Sequence, residues 1–445
     1  RLRLVASLLK RDNASQALAE SEAAVAAHPS GDAYALRSLA RFRAGRFALA
    51  EADRDAALAA DSAESGLAHY ADAKLLASEG AHDRALASID RALKGRSVLD
   101  RAFRSDELVE RSSACDELDR TADAIRALDE ALAVTPRTNA VLVNNMTAQL
   151  AFRRQFADRD FMRIGTNATS STLGFTLIGG LPVVNISING GAPAPFIVDT
   201  GAGVSVLFPS YAKKIGFVPR EERAYAGAVG GDGKGGIRYG LADSVRLGEF
   251  AVLNVPFVEL DWQIPNLAGI IGLPLLRPFV TTFDYPAKEL RLARSASGQA
   301  AQTLGTTTFR LISNAIYLDA SINGRGPFNF GFDTGASTSG VPIDEAVASA
   351  VGLNPAAPGT RKMRGMGAAG GQDAIVFPNG RIAWAGMPAA ATDLISQRIT
   401  PARAERRDGE NGLVAETEVE GLIGFALLKA AVITIDFERQ KITVA

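Results

Sequence analysis

The sequence predicts a multidomain protein: an all-α helical-repeat region followed by an all-β region written twice. Three observations carry that expectation. Of 43 Gly and 19 Pro in 445 residues, only Gly31, Gly45, Gly66, Gly80, Gly95, Pro29 and Pro136 precede Gly165. The early region is thus rich in helix formers, and the later one has short apolar runs broken by Gly, Pro and Asn. Each region also repeats internally, with its own period. The expected boundaries are a helical domain over 1–164, a polar linker over 165–173, a first β unit over 174–294, a linker over 295–307 and a second β unit over 308–445.

The helical repeat is carried by small residues. Ala17, Ala50, Ala85 and Ala124 are each followed seven residues later by Ala24, Ala57, Ala92 and Ala131. Five residues before each first Ala stands Asp12, Gly45, Gly80 or Asp119, a turn residue between helices. Pro29 and Pro136 fall where a repeat would end. The spacing of 33, 35 and 39 residues resembles the tetratricopeptide repeat, a helix–turn–helix unit of about 34 residues. Ala44-Gly-Arg-Phe-Ala-Leu-Ala50 and Glu79-Gly-Ala-His-Asp-Arg-Ala85 carry the likeness best, although the family's Trp and most of its Tyr are missing. The resemblance implies a surface that docks a protein partner or peptide, or else a scaffold for the β region. His28, His69 and His82 fall in different repeats, so they are expected to be solvated or packing residues and not one metal site. Cys115 reads as a small helical core residue.

The β region duplicates in order. Val184-Asn-Ile-Ser-Ile-Asn-Gly190 and Phe196-Ile-Val-Asp-Thr-Gly-Ala202 answer Leu318-Asp-Ala-Ser-Ile-Asn-Gly324 and Phe330-Gly-Phe-Asp-Thr-Gly-Ala336 at an offset of 134. Gly269-Ile-Ile-Gly272 answers Gly421-Leu-Ile-Gly424, and Phe283–Leu292 answers Ile435–Val444, at an offset of 152. The difference of about 18 residues points to the charged stretch Arg398–Glu418 as the extra material. Period-2 alternation places Val184, Ile186 and Ile188, and Leu318, Ala320 and Ile322, on an inward face. Asn189-Gly190 and Asn323-Gly324 are hairpin signals. Gly-rich stretches follow at Gly227–Gly236 and Gly365–Gly371.

Asp199-Thr-Gly-Ala202 and Asp333-Thr-Gly-Ala336, each with a Gly-rich stretch and an apolar-apolar-Gly element downstream, resemble the pepsin/retropepsin superfamily of aspartic proteases. The order of elements is closer to the retroviral and bacterial type than to pepsin, but one chain supplies both units. The resemblance implies a bilobal pair of acid-protease barrels and an aspartic endopeptidase acting on peptide or protein substrates. It places Asp199 and Asp333 as the catalytic dyad, with base and acid left unassigned. It makes Thr200, Gly201, Ala202, Thr334, Gly335 and Ala336 the supporting loops, with Thr200 and Thr334 cross-linking them. Gly230, Gly231, Gly233, Gly365, Met366 and Gly367 become flap residues, and Ile271, Gly272, Ile423 and Gly424 the core element behind the dyad. Ala202 and Ala336 stand where pepsin-type enzymes often carry a hydroxyl, which points to an optimum near pH 5–7.

Several classes are excluded. From Gly165 to Ala445 there is neither His nor Cys, which removes a Ser-His-Asp triad, a Cys-His pair and a histidine-ligated metal from the β region. No cofactor and no metal are expected. With 48 Lys+Arg against 49 Asp+Glu, the charge makes no case for nucleic acid. Gly231, Gly233 and Gly236 match a dinucleotide motif, but Ile237-Arg-Tyr-Gly-Leu carries no helix signal. No apolar run approaches the roughly 18 residues of a membrane span. The start at Arg1 is compatible with a removed signal peptide, so a periplasmic or otherwise exported protein is expected, with the cytoplasm left open. Two alternatives stand beside the protease: a non-catalytic peptide-binding scaffold, and a dormant precursor cleaved within Arg398–Gly409.

Overall fold

The computed structural model describes residues 1–10, 13–60, 65–155, 157–220, 223–226, 235–260, 263–295, 303–367, 370–399 and 417–445. These form two compact units. One is an N-terminal α-helical unit that includes Thr417 and Glu418; the other is built of β-sheets.

The helical unit runs through α1 (Leu2–Lys10), α2 (Ala14–Ala27), α3 (Gly31–Arg43), α4 (Phe47–Ala59), α5 (Leu67–Ser78), α6 (His82–Ala92), α7 (Val98–Glu117), α8 (Thr121–Val134) and α9 (Ala140–Gln155). Helices pack in successive pairs, α1 with α2, α3 with α4, α5 with α6 and α7 with α8, while α3 also meets α5 and α5 meets α7. The eight periodic alanines explain the close approach: Ala17, Ala24, Ala50, Ala57, Ala85, Ala92, Ala124 and Ala131 are all buried. Turns close in the left-handed region at Gly45 (φ 69°), Gly80 (φ 74°) and Asp119 (φ 56°), where glycine and Asp are favoured. Asp12 lies outside the described residues. Ser97 and Asp100 form a capping box on α7, and buried Asp100 also accepts the Gly66 N–H at 2.9 Å. Cys115 is fully buried among apolar neighbours. The Thr417 hydroxyl donates to Phe42 O at 2.9 Å, and the Glu418 N–H to Arg43 O at 2.7 Å, so two residues late in the chain satisfy carbonyls at the end of α3.

In the β unit the inward faces follow the alternation. Val184, Ile186, Ile188, Leu318, Ala320 and Ile322 are buried, while Asn185 and Asp319 are exposed. Asn189 and Gly190, and Asn323 and Gly324, all take positive φ, as a primed turn requires. The strand Ala194–Asp199 pairs in parallel with Gly269–Gly272, Asp199 opposite Gly272. Its counterpart Arg325–Phe332 pairs in parallel with Gly421–Ile423. Gly235–Leu247 is a strand where a dinucleotide fold would begin a helix.

The two halves share one apolar core and meet in a common antiparallel layer. Its order is Gly305–Thr308, Lys441–Val444, Val432–Asp436, Val280–Asp284, Glu289–Ala293 and Ser170–Ile178. At its centre Thr282 pairs with Thr434, residues related by the duplication offset, and their hydroxyls lie 2.9 Å apart. An approximate twofold axis passes between them. This layer takes up part of both stretches read as linkers. Residues 170–173 and 305–307 are strand, because Ser171 is buried and bonded to Leu247 O and Glu249 N–H, and Gly305–Thr308 pairs with the C-terminal strand. The stretch assigned to 308–445 likewise gives Thr417 and Glu418 to the helical unit.

Candidate active site

The parallel pairings deliver both Asp-Thr-Gly loops to the same approximate twofold. The Thr200 N–H donates to Thr334 Oγ1 and the Thr334 N–H to Thr200 Oγ1, each at 3.0 Å. The Thr200 hydroxyl donates to Phe332 O at 3.2 Å, and the Thr334 hydroxyl to Val198 O at 2.8 Å. Both threonines are completely buried, and every hydrogen-bonding role of both hydroxyls in this exchange crosses from one half to the other.

The glycines explain why no larger residue fits. A Cβ added to Gly201 would lie 2.5 Å from Cγ of Asp333, and one added to Gly335 would lie 2.5 Å from Cγ of Asp199. Each carboxylate therefore sits on the backbone of the opposite loop. Asp199 Oδ1 accepts the N–H groups of Gly201 at 2.8 Å and Ala202 at 3.1 Å; Asp333 Oδ1 accepts that of Gly335 at 2.7 Å. Behind the loops, Ile271 and Ile423 are buried, the Leu273 N–H bonds Ala202 O at 2.8 Å, and the Phe425 N–H bonds Ala336 O at 2.9 Å. A Cβ at Gly272 would meet Val204 O at 2.3 Å, and one at Gly424 would meet Ala336 O at 2.4 Å. The structure thus brings together Asp199, Thr200, Gly201, Ala202, Asp333, Thr334, Gly335, Ala336, Ile271, Gly272, Ile423 and Gly424.

Each Asp side chain keeps part of its surface open while protein mass surrounds the rest. Burial, then the facing Asp333 carboxylate, holds Asp199 well above the usual carboxylate range; the loop N–H groups pull the other way. Burial raises Asp333 too, opposed by its bond with Asp199 and the backbone N–H groups. Two carboxylates so placed titrate as a coupled pair.

The Gly-rich stretches divide. Gly230, Gly231 and Gly233 lie outside the described residues, flanked by the paired strands Arg223–Ala226 and Gly235–Leu247. Gly365, Met366 and Gly367 continue a hairpin in which Arg361–Gly367 pairs with Gly370–Trp384, Gly367 opposite Gly370. A cavity of about 650 Å³ lies at the base of this hairpin, lined by Leu353, Lys362, Arg364, Asp373 and Phe377, among others, and neither dyad residue reaches it.

Comparison with known proteins bears on the first half of the β unit. Residues 184–275 match a family model described as aspartyl protease. The fold is aspartic-protease-like. The matched stretch spans Asp199-Thr-Gly and Ile271-Gly272. Solved structures that resemble the chain include an aspartic proteinase from Irpex lacteus, at 14% identity over 62% of this chain and 97% of that one, with a TM-score of 0.39. Another is a retropepsin-like aspartic protease from Rickettsia conorii, at 22% identity over 29% of this chain and 94% of that one, with a TM-score of 0.23. No curated protein matches the sequence. Among the described residues of this aspartic-protease-like chain, no helix is long and apolar enough to cross a membrane.

Sequence reasoning missed Tyr285 and Ser205. The Ser205 hydroxyl accepts the Gly272 N–H at 3.1 Å and braces the core element behind Asp199. Tyr285 is buried with a hydroxyl that has no hydrogen-bond partner among the described residues. Both lie inside the duplication, Tyr285 answered by Phe437 and Ser205 by Ser339, but the repeat marks their places without saying what their hydroxyls do.

Proposed function

We propose that this chain is a single-chain aspartic endopeptidase of the bilobal type, with Asp199 and Asp333 as an intrachain dyad. The observation that carries the reading is the reciprocal Thr200–Thr334 exchange, which holds each glycine of one loop against the carboxylate of the other. Peptide hydrolysis without His, Cys or metal needs a base for the attacking water and an acid for the carbonyl and leaving amine. Two facing carboxylates that share a proton meet both needs: the ionised one takes a proton from water, and the protonated one hydrogen-bonds the scissile carbonyl. The glycine hairpins serve as flaps, whose backbone adds an extended substrate as a further strand. The helical unit acts as a tetratricopeptide-like module that recruits substrate or a protein partner. The eight buried alanines and the left-handed turns at Gly45 and Gly80 support that reading.

The test is cleavage of a peptide library across pH by the full chain and by its Asp199→Asn and Asp333→Asn variants. The wild type cleaves with an optimum near pH 5–7, and both variants are silent. Cleavage that survives either substitution, or a wild type inert at every pH, overturns the reading and leaves the non-catalytic peptide-binding scaffold in its place.

A further inference from the structure

The halves differ in what precedes the core element behind each Asp-Thr-Gly loop. In the first half a local turn stands there: the Leu267 N–H donates to Ile264 O at 3.3 Å, Asn266 takes φ 63°, and the Ala268 N–H donates to Pro195 O at 2.8 Å. At the duplication offset of 152, Pro265 and Asn266 are answered by Thr417 and Glu418. Those two residues belong to the helical unit, and the chain returns to the β unit between Glu418 and Val419.

Both ends of this strap are held. At the helical end Thr417 is 2% exposed, its hydroxyl donates to Phe42 O at 2.9 Å, and the Glu418 N–H donates to Arg43 O at 2.7 Å. Pro265, its counterpart in the first half, has no hydroxyl to offer. At the β end the Glu420 N–H donates to Asn329 O at 2.8 Å, and the Asn329 N–H returns a bond to Glu420 Oε2 at 2.8 Å. The Asp344 N–H donates to Glu420 O at 3.0 Å. The strand Gly421–Ile423 follows at once, and Ile423 O accepts the Asp333 N–H at 2.9 Å. Ile423 stands only six residues after Thr417.

The β end is also close-packed. A Cβ on Gly421 would meet the Phe330 ring at 2.3 Å, and one on Gly424 would meet Ala336 O at 2.4 Å and Asp333 O at 3.1 Å. Backbone packed at this density passes a displacement on to its neighbours instead of absorbing it. The strap therefore bears on the second loop alone, since the matching turn of the first half closes on residues of its own unit.

We propose that Thr417 is a positioning residue: anchored on the C-terminal end of α3, it steadies the strand Gly421–Ile423 and, through Ile423 O, the backbone of Asp333. The helical unit then sets the geometry of one half of the dyad. The inference rests on the dyad reading above and extends it. A module that only recruits substrate acts on KM, whereas one that holds a reacting group in place acts on kcat.

The experiment compares wild type, Thr417→Val, Thr417→Ser and Thr135→Val, all as the full chain. Thr135 is the control: its buried hydroxyl donates to Ala131 O at 2.7 Å within the helical unit and makes no bond to the strap. The readouts are kcat and KM on a short peptide that the wild type cleaves, amide hydrogen exchange over 196–202 and 330–336, and a thermal melt. Thr417→Val should lower kcat about 3- to 10-fold with KM unchanged, and speed exchange at the Asp333 amide about 10-fold while the Asp199 segment stays as in wild type. Thr417→Ser, which keeps the hydroxyl, should restore both. Thr135→Val should melt earlier but match the wild type in kcat and exchange. Unchanged kcat and exchange in Thr417→Val, a change in KM alone, or equal changes in Thr135→Val would overturn the proposal. A wild type that cleaves nothing overturns the dyad reading instead; the exchange comparison needs no activity and still decides whether Thr417 holds Asp333.

Discussion

The first and second β units follow one strand plan but fill it differently. In the first, the helix Pro209–Lys214 is followed by Gly216 at positive φ and by Phe217, whose ring would lie 2.4 Å from a Cβ on Gly240. In the second, the helix Glu345–Ala350 is followed by Gly352 at positive φ and by Leu353, which lines the cavity of about 650 Å³ together with Phe377. The Thr200–Thr334 exchange is reciprocal between the halves, whereas behind it side-chain volume and polarity diverge. Shared backbone pairing builds the two Asp-Thr-Gly loops, and side-chain packing is where the halves part.

The largest effect comes from breaking the mirrored pair itself. Asp199→Asn and Asp333→Asn should each lower kcat/KM by at least about 10³-fold, since the two carboxylates act as a unit. A kinetic assay in which one variant stays near wild type would mean that the halves contribute unequally to the chemistry.

The packing contrast comes next. Phe217→Ala should destabilise the β unit by about 3–4 kcal/mol, because it opens a void beside Gly240. Leu353→Ala, at the rim of an existing cavity, should cost less than half as much. Urea denaturation measures both, and equal losses would erase the distinction drawn between the two halves.

Thr200→Val and Thr334→Val sharpen the symmetry. Each removes a buried hydroxyl that donates one bond and accepts another, for a loss of about 2–3 kcal/mol. The two losses should agree within about 0.5 kcal/mol, and the double variant should lose less than their sum, since the partners share one network. Additive losses in a double-mutant cycle would show that the two loops are stabilised independently.

The smallest expected effect is electrostatic. Folding raises both dyad carboxyls above the ordinary Asp value of 3.8, so the folded chain binds protons more tightly than the unfolded one. Their contribution to stability is fully present below that value and is lost as pH rises through the folded values. Asn at position 199 removes this dependence. Asp199→Asn should therefore gain in melting temperature over wild type at neutral pH and lose that advantage in acid. An advantage that is the same at both pH values would argue against raised carboxyls.

Much of this architecture was legible in the sequence where chemistry repeats. The alanines at positions 17, 24, 50, 57, 85, 92, 124 and 131 revealed the helix contacts because only a small residue fits there. Asn189-Gly190 and Asn323-Gly324 revealed turns because their backbone demands positive φ. What escaped was long-range. Nothing local in residues 170–173 or 305–307 says that a polar run will pair as strand across the molecule, and Thr417 carries no sign that its hydroxyl will meet α3. Tyr285 and Phe437 occupy equivalent positions in the repeated segments Phe283–Leu292 and Ile435–Val444, and the repeat does not say that one copy carries a hydroxyl into the core.

The most direct test of the central claim, that one chain supplies both carboxylates of its own site, is complementation. Asp199→Asn and Asp333→Asn proteins are mixed in equal amounts, and the cleavage rate of one identified substrate is compared with that of wild type. An intrachain dyad predicts no activity from the mixture at any protein concentration. Activity that appears on mixing and grows with concentration would place the two carboxylates on different chains and contradict the account.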